Sequence, residues 1–329
     1  MSNEQDGREL AGSGVSTNED APQVLADYVV PSYAPLRPNR LVVVLKWAKI
    51  VVFTLFAVAL VLGLWGHSRW THATNARLAA LEAATAPVKE RPERYDEAEL
   101  ASLPPVVRRY FSKVLNPNQP IVRGLYMEQT GKMNRGTLTE QWEPFTARQR
   151  VATRRPGFVW DASIVMAGGI TVRVVDAYVA GVGSLQPSVI GLFDIGGIEG
   201  TGEIARGELI RYVAEAVWYP TALLPSQGAR WTPVDAQTAD ATLTDGPITV
   251  TLRFVFNADG LVERISSTER SALVDGAMVP TPWDVRLAQY QTHSGMLVPQ
   301  EAEVAWTPPT GRMPYWRGKV EKLDYDMPR

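Results

Sequence analysis

The segment Leu41 to Trp65, LVVVLKWAKIVVFTLFAVALVLGLW, constrains this chain more than any other. From Trp47 to Trp65 it would rise about 27 Å as an α-helix, close to the roughly 30 Å hydrocarbon thickness of a bilayer. A tryptophan stands at each end of that stretch, where an amphipathic ring suits the membrane–water interface. Lys46 and Lys49 fall within a turn of its N-terminal end, where their stems can snorkel to the headgroups. A core helix has no need of so long an apolar run with polar residues only at its ends. The pattern therefore predicts a single membrane-spanning helix over 41–66.

Flanking charge sets the expected orientation. Arg37, Arg40, Lys46 and Lys49 crowd the N-terminal side without an acid among them, whereas Arg69 and Arg77 on the far side are followed by Glu82. The bias predicts a cytoplasmic N-terminus and an extracytoplasmic C-terminal domain. A cleaved signal peptide fits less well: the polar leader is far too long for an n-region, and Ala84-Thr85-Ala86 lies too far beyond the apolar run.

The leader, residues 1–40, is rich in Gly, Ser, Asn, Asp, Glu and Pro. It reads as a disordered tail, because it has too little apolar surface to offset its ordering entropy. Residues 67–95 read as a stalk and linker, Ala-rich and helical over 73–86, then charged and proline-bearing over 87–95. What remains, 96–329, is a normal size for one domain. With no cysteine in 329 residues, disulfides, thiol nucleophiles and thiolate metal sites are excluded. The net charge of −2 argues against a surface that tracks nucleic-acid phosphates.

The domain's pattern begins helical, from about Asp96 to Leu115, with a fresh start at Pro104-Pro105 and an apolar stripe of Val106, Val107, Tyr110, Phe111 and Val114. From Ile121 the period changes to two. Phe158, Trp160, Ala162 and Ile164 alternate with Val159, Asp161 and Ser163, and Ile248 to Phe256 alternates as cleanly. Further strands are expected at 121–130, 136–143, 146–153, 170–180, 184–192, 229–234, 238–244, 261–270, 283–292, 297–306 and 315–325, separated by turn signals such as Asp245-Gly246 and Asp259-Gly260. One helix interrupts them, Glu203 to about Tyr219, ending at Pro220. The expected fold is thus mainly β (α+β): an anchor, then an antiparallel sheet, curved or a half-barrel, with a leading helix and one inserted helix.

Five strings, PPVVRRYF (104–111), PGFVWDA (156–162), VDAYVAGVGS (175–184), ARGELIRYVAEAVWYPTALLP (205–225) and PYWRGKVEKLDY (314–325), resemble an uncharacterised family of bacterial membrane-tethered proteins. The likeness spans the domain from Pro104 onward and implies a single domain; it carries no mechanism. The order of elements is also similar to the half-barrel of periplasmic lipoprotein carriers, in which an apolar cavity holds lipid. That analogy is one of layout and rests on no sequence string.

Catalytic signatures are sparse. Of three histidines only His293 lies in the domain, near the turn Ser294-Gly295. No nucleophile elbow or phosphate loop occurs, and no transition-metal ligand set; no cofactor is expected. Two acids stand out. Asp176 is in phase with Ile170, Val172, Val174 and Tyr178, and Glu140 with Leu138 and Trp142, so each faces an apolar side unless a bulge or a solvated edge turns it outward. Arg206 and Arg211 on the inserted helix are candidate partners. Glu208, Arg211 and Glu215 share one helix face, which reads equally as solvated. Of the domain's seven tryptophans, Trp142, Trp160, Trp218, Trp231, Trp283, Trp306 and Trp316, several can line a cavity or fill the core, and Trp218 with Tyr219 can form a cavity lip.

The candidate binding residues are therefore Glu140, Trp142, Trp160, Asp176, Arg206, Arg211, Glu215, Trp218 and Tyr219. The functional expectation is an anchored extracytoplasmic module that binds a lipid or other apolar ligand. A sensor or scaffold reporting to the N-terminal tail and a carboxylate-dependent hydrolase of envelope glycan are the alternatives.

Overall fold

The computed structural model describes residues 39–85, 91–136, 139–274 and 276–328. Residues 1–38 of the expected 1–40 tail and residues 86–90, where the expected linker begins, lie outside the described residues, as does Leu138. The chain comprises two units, Met1–Leu55 and Phe56–Arg329.

In the first unit the described residues form the start of one helix, α1 (Arg40–Thr85), whose 46 residues continue into the second. Leu41, Trp47, Val52 and Phe53 are all exposed, Phe53 by 73%. A soluble helix would bury such side chains; this one presents them all round, as lipid requires. Among the described residues it is the one helix long and apolar enough to cross a membrane. The apolar segment and the residues after it, to Thr85, thus form one helix.

The second unit opens, after α1, with a 3-10 turn (Glu97–Ser102) that Asp96 caps through its side chain, and then α2 (Pro105–Val114), which starts on a proline as the doublet requires. Seven strands follow: β1 (Gly124–Asn134), β2 (Trp142–Ala152), β3 (Gly157–Val165), β4 (Thr171–Val179), β5 (Val182–Val189), β6 (Phe193–Asp194) and β7 (Ile198–Gly200). Next comes α3 (Glu203–Glu215), extended by 3-10 turns through Trp218 and over Pro220–Leu223. Nine strands complete the chain: β8 (Arg230–Pro233), β9 (Thr238–Asp245), β10 (Ile248–Phe256), β11 (Val262–Ser267), β12 (Ser271–Val274), β13 (Ala277–Pro280), β14 (Trp283–His293), β15 (Met296–Trp306) and β16 (Met313–Asp326).

Fourteen of the described strands make one antiparallel sheet in the order β6-β5-β4-β3-β2-β1-β16-β15-β14-β11-β10-β9-β8, with β7 also on β5; β12 and β13 form a separate hairpin. The first and last long strands pair in its middle, Leu125 opposite Tyr325. This corrects the expected mainly β, curved or half-barrel fold. The fold is mixed, α and β, and its sheet is a large open ladder, neither curled nor closed into a barrel. Closure needs hydrogen bonds between edge strands. Here the edges are the short β6 and β8, and no ladder among the described residues joins them. Order of elements, on which the expectation rested, is silent about which strands become edges.

Strand alternation sends side chains to two apolar layers. On one face Phe158, Trp160, Ala162, Val172, Val174 and Tyr178 join α2 and α3 in the main core. On the other, Val159, Val175 and Ala177 pack with Ala152 against Trp70 and Leu81 of α1. Trp70 Nε1 donates to Asp161 Oδ1 at 2.8 Å, which satisfies the carboxylate on that outer face. Gly66 lies so close to the Ile190 carbonyl that any Cβ there would collide with it. Arg69 reinforces this seat by donating to the Leu192 carbonyl at 3.0 Å and to Asp194 Oδ2 at 2.8 Å.

Candidate functional site

The inserted helix α3 sits tightly on the sheet because Gly183 has no side chain: a Cβ there would stand 2.7 Å from Ala205 Cα. This contact draws the face bearing Glu208, Arg211 and Glu215 inward. Their side chains are 4%, 14% and 13% exposed, so the face is not solvated. On β4 the ladder to both neighbours runs without a bulge, and Asp176 keeps its place between Val174 and Tyr178 on the helix side.

These groups converge. Arg211 Nη1 donates to Asp176 Oδ2 at 2.5 Å and its Nε to Glu215 Oε1 at 2.7 Å. Gln149 Nε2 donates to the other oxygen of Glu215 at 2.5 Å. The guanidinium lies over the rings of Phe158 and Trp160, 4.8 and 5.1 Å from their centroids, which adds cation–π attraction. Burial works against its charge, but Glu215, Asp176 and Glu208 outweigh this and hold its pKa above the ordinary arginine value. A second arginine enters from the segment between β11 and β12: Arg270 Nη2 donates to Glu208 Oε1 at 3.4 Å. Glu208 is pushed up to about 8, first by burial and then by the neighbouring Asp176 charge, while Arg270 and Arg211 pull the other way.

The cluster borders a cavity of about 290 Å³. Trp160, Trp218, Trp283, Trp306, Tyr315 and Trp316 contribute aromatic wall, and Asp176, Glu208, Arg211, Glu215 and Arg270 supply charge. Trp283 Nε1 donates to the Tyr315 hydroxyl at 3.0 Å, and Trp306 stacks on Tyr315 with centroids 5.8 Å apart, so these rings hold one another in place. Four buried polar atoms in this region find no protein donor or acceptor of the ordinary kind: Asp176 Oδ1, Glu208 Oε2, Gln149 Oε1 and Arg270 Nη1. Among the described residues no group of three or more His, Asp or Glu side chains forms a metal-holding set.

Of the residues singled out in the sequence, Trp160, Asp176, Arg211, Glu215 and Trp218 line this cavity. The other candidate binding residues lie elsewhere. Glu140 is exposed in the loop before β2 and accepts from Trp142 Nε1 at 2.8 Å, while Trp142 lies under Arg317, 4.2 Å from its ring centroid. Arg206 is half-exposed at the start of α3, bonded to the Thr249 carbonyl and to Glu269. Tyr219 is fully buried with its hydroxyl on the Tyr212 carbonyl at 2.8 Å. Trp283, Trp306 and Trp316, named among the domain's tryptophans as possible cavity wall, also line it, and Glu208 joins them; Arg270 and Tyr315 complete the site without having been singled out, and nothing local marked Arg270.

Fold and site together define a mixed α and β domain, preceded by one candidate membrane span, with an aromatic-walled, charge-bearing cavity on the helix side of its sheet. The chain belongs to a bacterial family of unknown function, DUF6920, which matches residues 101–325. Comparison with curated proteins gives no match. Among solved structures, a LolA superfamily protein from Nitrosomonas europaea is similar at 11% identity, covering 68% of this chain and 93% of its own, with a TM-score of 0.36. A DUF1329 family protein from Desulfovibrio piger matches at 11% identity over 70% of this chain and 92% of its own, TM-score 0.38. A beta-barrel-like DUF1849 protein from Brucella abortus matches at 9% identity over 63% and 98%, TM-score 0.28.

Proposed function

We propose that this chain is a membrane-tethered, extracytoplasmic binding module that seats an amphiphilic ligand in the cavity under α3. The observation that carries the reading is the composition of that cavity, about 290 Å³ with tryptophan walls and a buried charged cluster. Its size stands at the lower end of ligand pockets, which run from about 300 to 1,000 Å³, and its lining follows their pattern of mostly apolar wall with a few placed polar groups. The expectation of a purely apolar ligand is narrowed accordingly, because the buried polar groups favour a ligand with a polar end.

A tether beside a bilayer suits such a ligand. The excess of positive charge before the apolar run supports an outward-facing domain. The segment that packs on Gly66 also exposes Phe193 by 59% and Ile195 by 52%, as a surface resting on lipid would. The hydrolase alternative is less well supported: Asp176 and Glu215 are both bound to Arg211, and Glu140 lies exposed in the loop before β2, away from the cavity.

The test uses the full chain in phosphatidylcholine nanodiscs and 8-bromo-octan-1-ol, whose bromine quenches nearby tryptophan emission. Saturable quenching that disappears in Ala214→Phe, which fills the cavity, is the expected result. Quenching that never saturates, or is the same in both proteins, overturns the reading.

A further inference from the structure

The two arginines of the cavity are unequally served. Arg211 holds two carboxylates, each within 2.7 Å. Arg270 has a single acidic partner, Glu208, at 3.4 Å. Burial and the Asp176 charge push the pKa of that partner up to about 8, which weakens it as a counter-charge to Arg270. Arg270 is nevertheless 8% exposed, and a buried guanidinium without a close counter-charge is costly.

Its surroundings restrict what can relieve that cost. Trp283 and Trp306 stand 4.7 and 5.6 Å from the guanidinium carbon and occupy its approach as aromatic neighbours. Nη2 is committed to Glu208. Nη1 has no partner, and the residue lines the cavity. What fits is an acceptor in the guanidinium plane carrying negative charge, since a charge-assisted bond is about twice as strong as a neutral one. With Nη1 buried and unpartnered, and aromatic rings on much of the cavity wall, the complement is a monoanionic head on an apolar tail. The cavity volume restricts the tail to one chain.

On this basis, and resting on the binding-module reading above, we infer that Arg270 is the anion subsite of the cavity, taking the monoanionic head of a single-chain amphiphile through Nη1. The head is a carboxylate, as in a free fatty acid, or a phosphodiester, as in a lysolipid headgroup.

The test titrates three probes of equal chain length into the full chain in nanodiscs at pH 7.5: 8-bromo-octanoate, methyl 8-bromo-octyl phosphate and 8-bromo-octan-1-ol. The saturable part of tryptophan quenching gives each affinity. At least one anion should bind about ten-fold or more tighter than the alcohol. Arg270→Gln should bring anion and alcohol within about two-fold of each other, and Arg270→Lys should keep much of the preference. Whichever anion gains more identifies the head. If the wild-type chain binds alcohol and anions alike, the subsite is refuted while the binding module stands. That comparison decides the point even if Arg270→Gln does not fold. If no probe gives saturable quenching, both fail.

Discussion

Arg211 on α3 reaches across to Asp176 on β4, Nη1 to Oδ2 at 2.5 Å, and holds Glu215 on its own helix with the same guanidinium. One side chain thus ties the inserted helix to the sheet and keeps two carboxylates tolerable in a buried site. Buried ion pairs gain little over apolar packing, but breaking one strands its partner at a cost of about 3–5 kcal/mol. Arg211→Met is expected to lose about that much in a denaturant titration of the full chain. The triple variant Asp176→Leu, Arg211→Met, Glu215→Leu, which removes every charge at once, should recover most of the loss. A cost below about 1 kcal/mol for Arg211→Met would show that the cluster does not hold the helix.

Glu208 makes stability depend on pH. Its folded value, pushed up to about 8, exceeds the ordinary 4.5, so between those two pH values the folded chain binds a proton that the unfolded chain has lost. The contribution is full below about 4.5, declines as pH rises, and levels off above about 8. The slope from this one group cannot exceed about 1.4 kcal/mol per pH unit. Glu208→Gln, neutral at every pH, should match the wild type near pH 5 and exceed it near pH 8. Parallel pH profiles for the two proteins would rule out the buried proton.

What the sequence disclosed, and what it withheld, follows from the range of the interactions involved. The place of Asp176 was legible because alternation along β4 is local and no bulge interrupts it. The shared face of Glu208, Arg211 and Glu215 was legible from helical spacing; its direction was not, since that depends on Gly183 admitting Ala205. Arg270 gave no signal, because its neighbours Glu208, Trp283 and Trp306 come from three separate elements. Glu140 was placed in a strand over 136–143, yet β2 starts only at Trp142 and runs through Pro144. Proline is tolerated there because pairing with β3 begins one residue later, at Phe145. The half-barrel was read from the order of elements, whereas pairing of β1 with β16, set by contacts nearly 200 residues apart, decides where the sheet's edges fall.

Trp70 holds the stalk portion of α1 against the outer face of the sheet. It is buried against Val159, Val175 and Ala177, and its indole N–H opposes the upward push that burial exerts on the Asp161 pKa. Trp70→Ala removes both the apolar contact and the hydrogen bond, leaving Asp161 partly buried without its donor. Hydrogen exchange over residues 66–85 should accelerate at least about ten-fold, equivalent to about 1.4 kcal/mol of local stability. Exchange in α3, on the opposite face, should be unchanged. Equal acceleration in both would mean that the stalk is part of the domain's global folding unit.

Phe193 and Ile195 test where the domain rests. They are exposed in and just after β6, in a segment fixed to α1 at Gly66, immediately beyond Trp65, by the close backbone contact with Ile190 and the Arg69 bonds. Both are more than half exposed, so substituting either should change stability by no more than about 0.5 kcal/mol. The chain has no cysteine, which makes Phe193→Cys or Ile195→Cys a unique site for a nitroxide label. In nanodiscs, a label at either position should be relaxed more by dissolved oxygen, which concentrates in lipid, than by a water-soluble nickel complex. A label at Gln237→Cys, exposed on the loop before β9, should show the reverse. If all three labels favour the nickel complex, the segment stands clear of the bilayer, and ligand entry from the membrane surface would need another route.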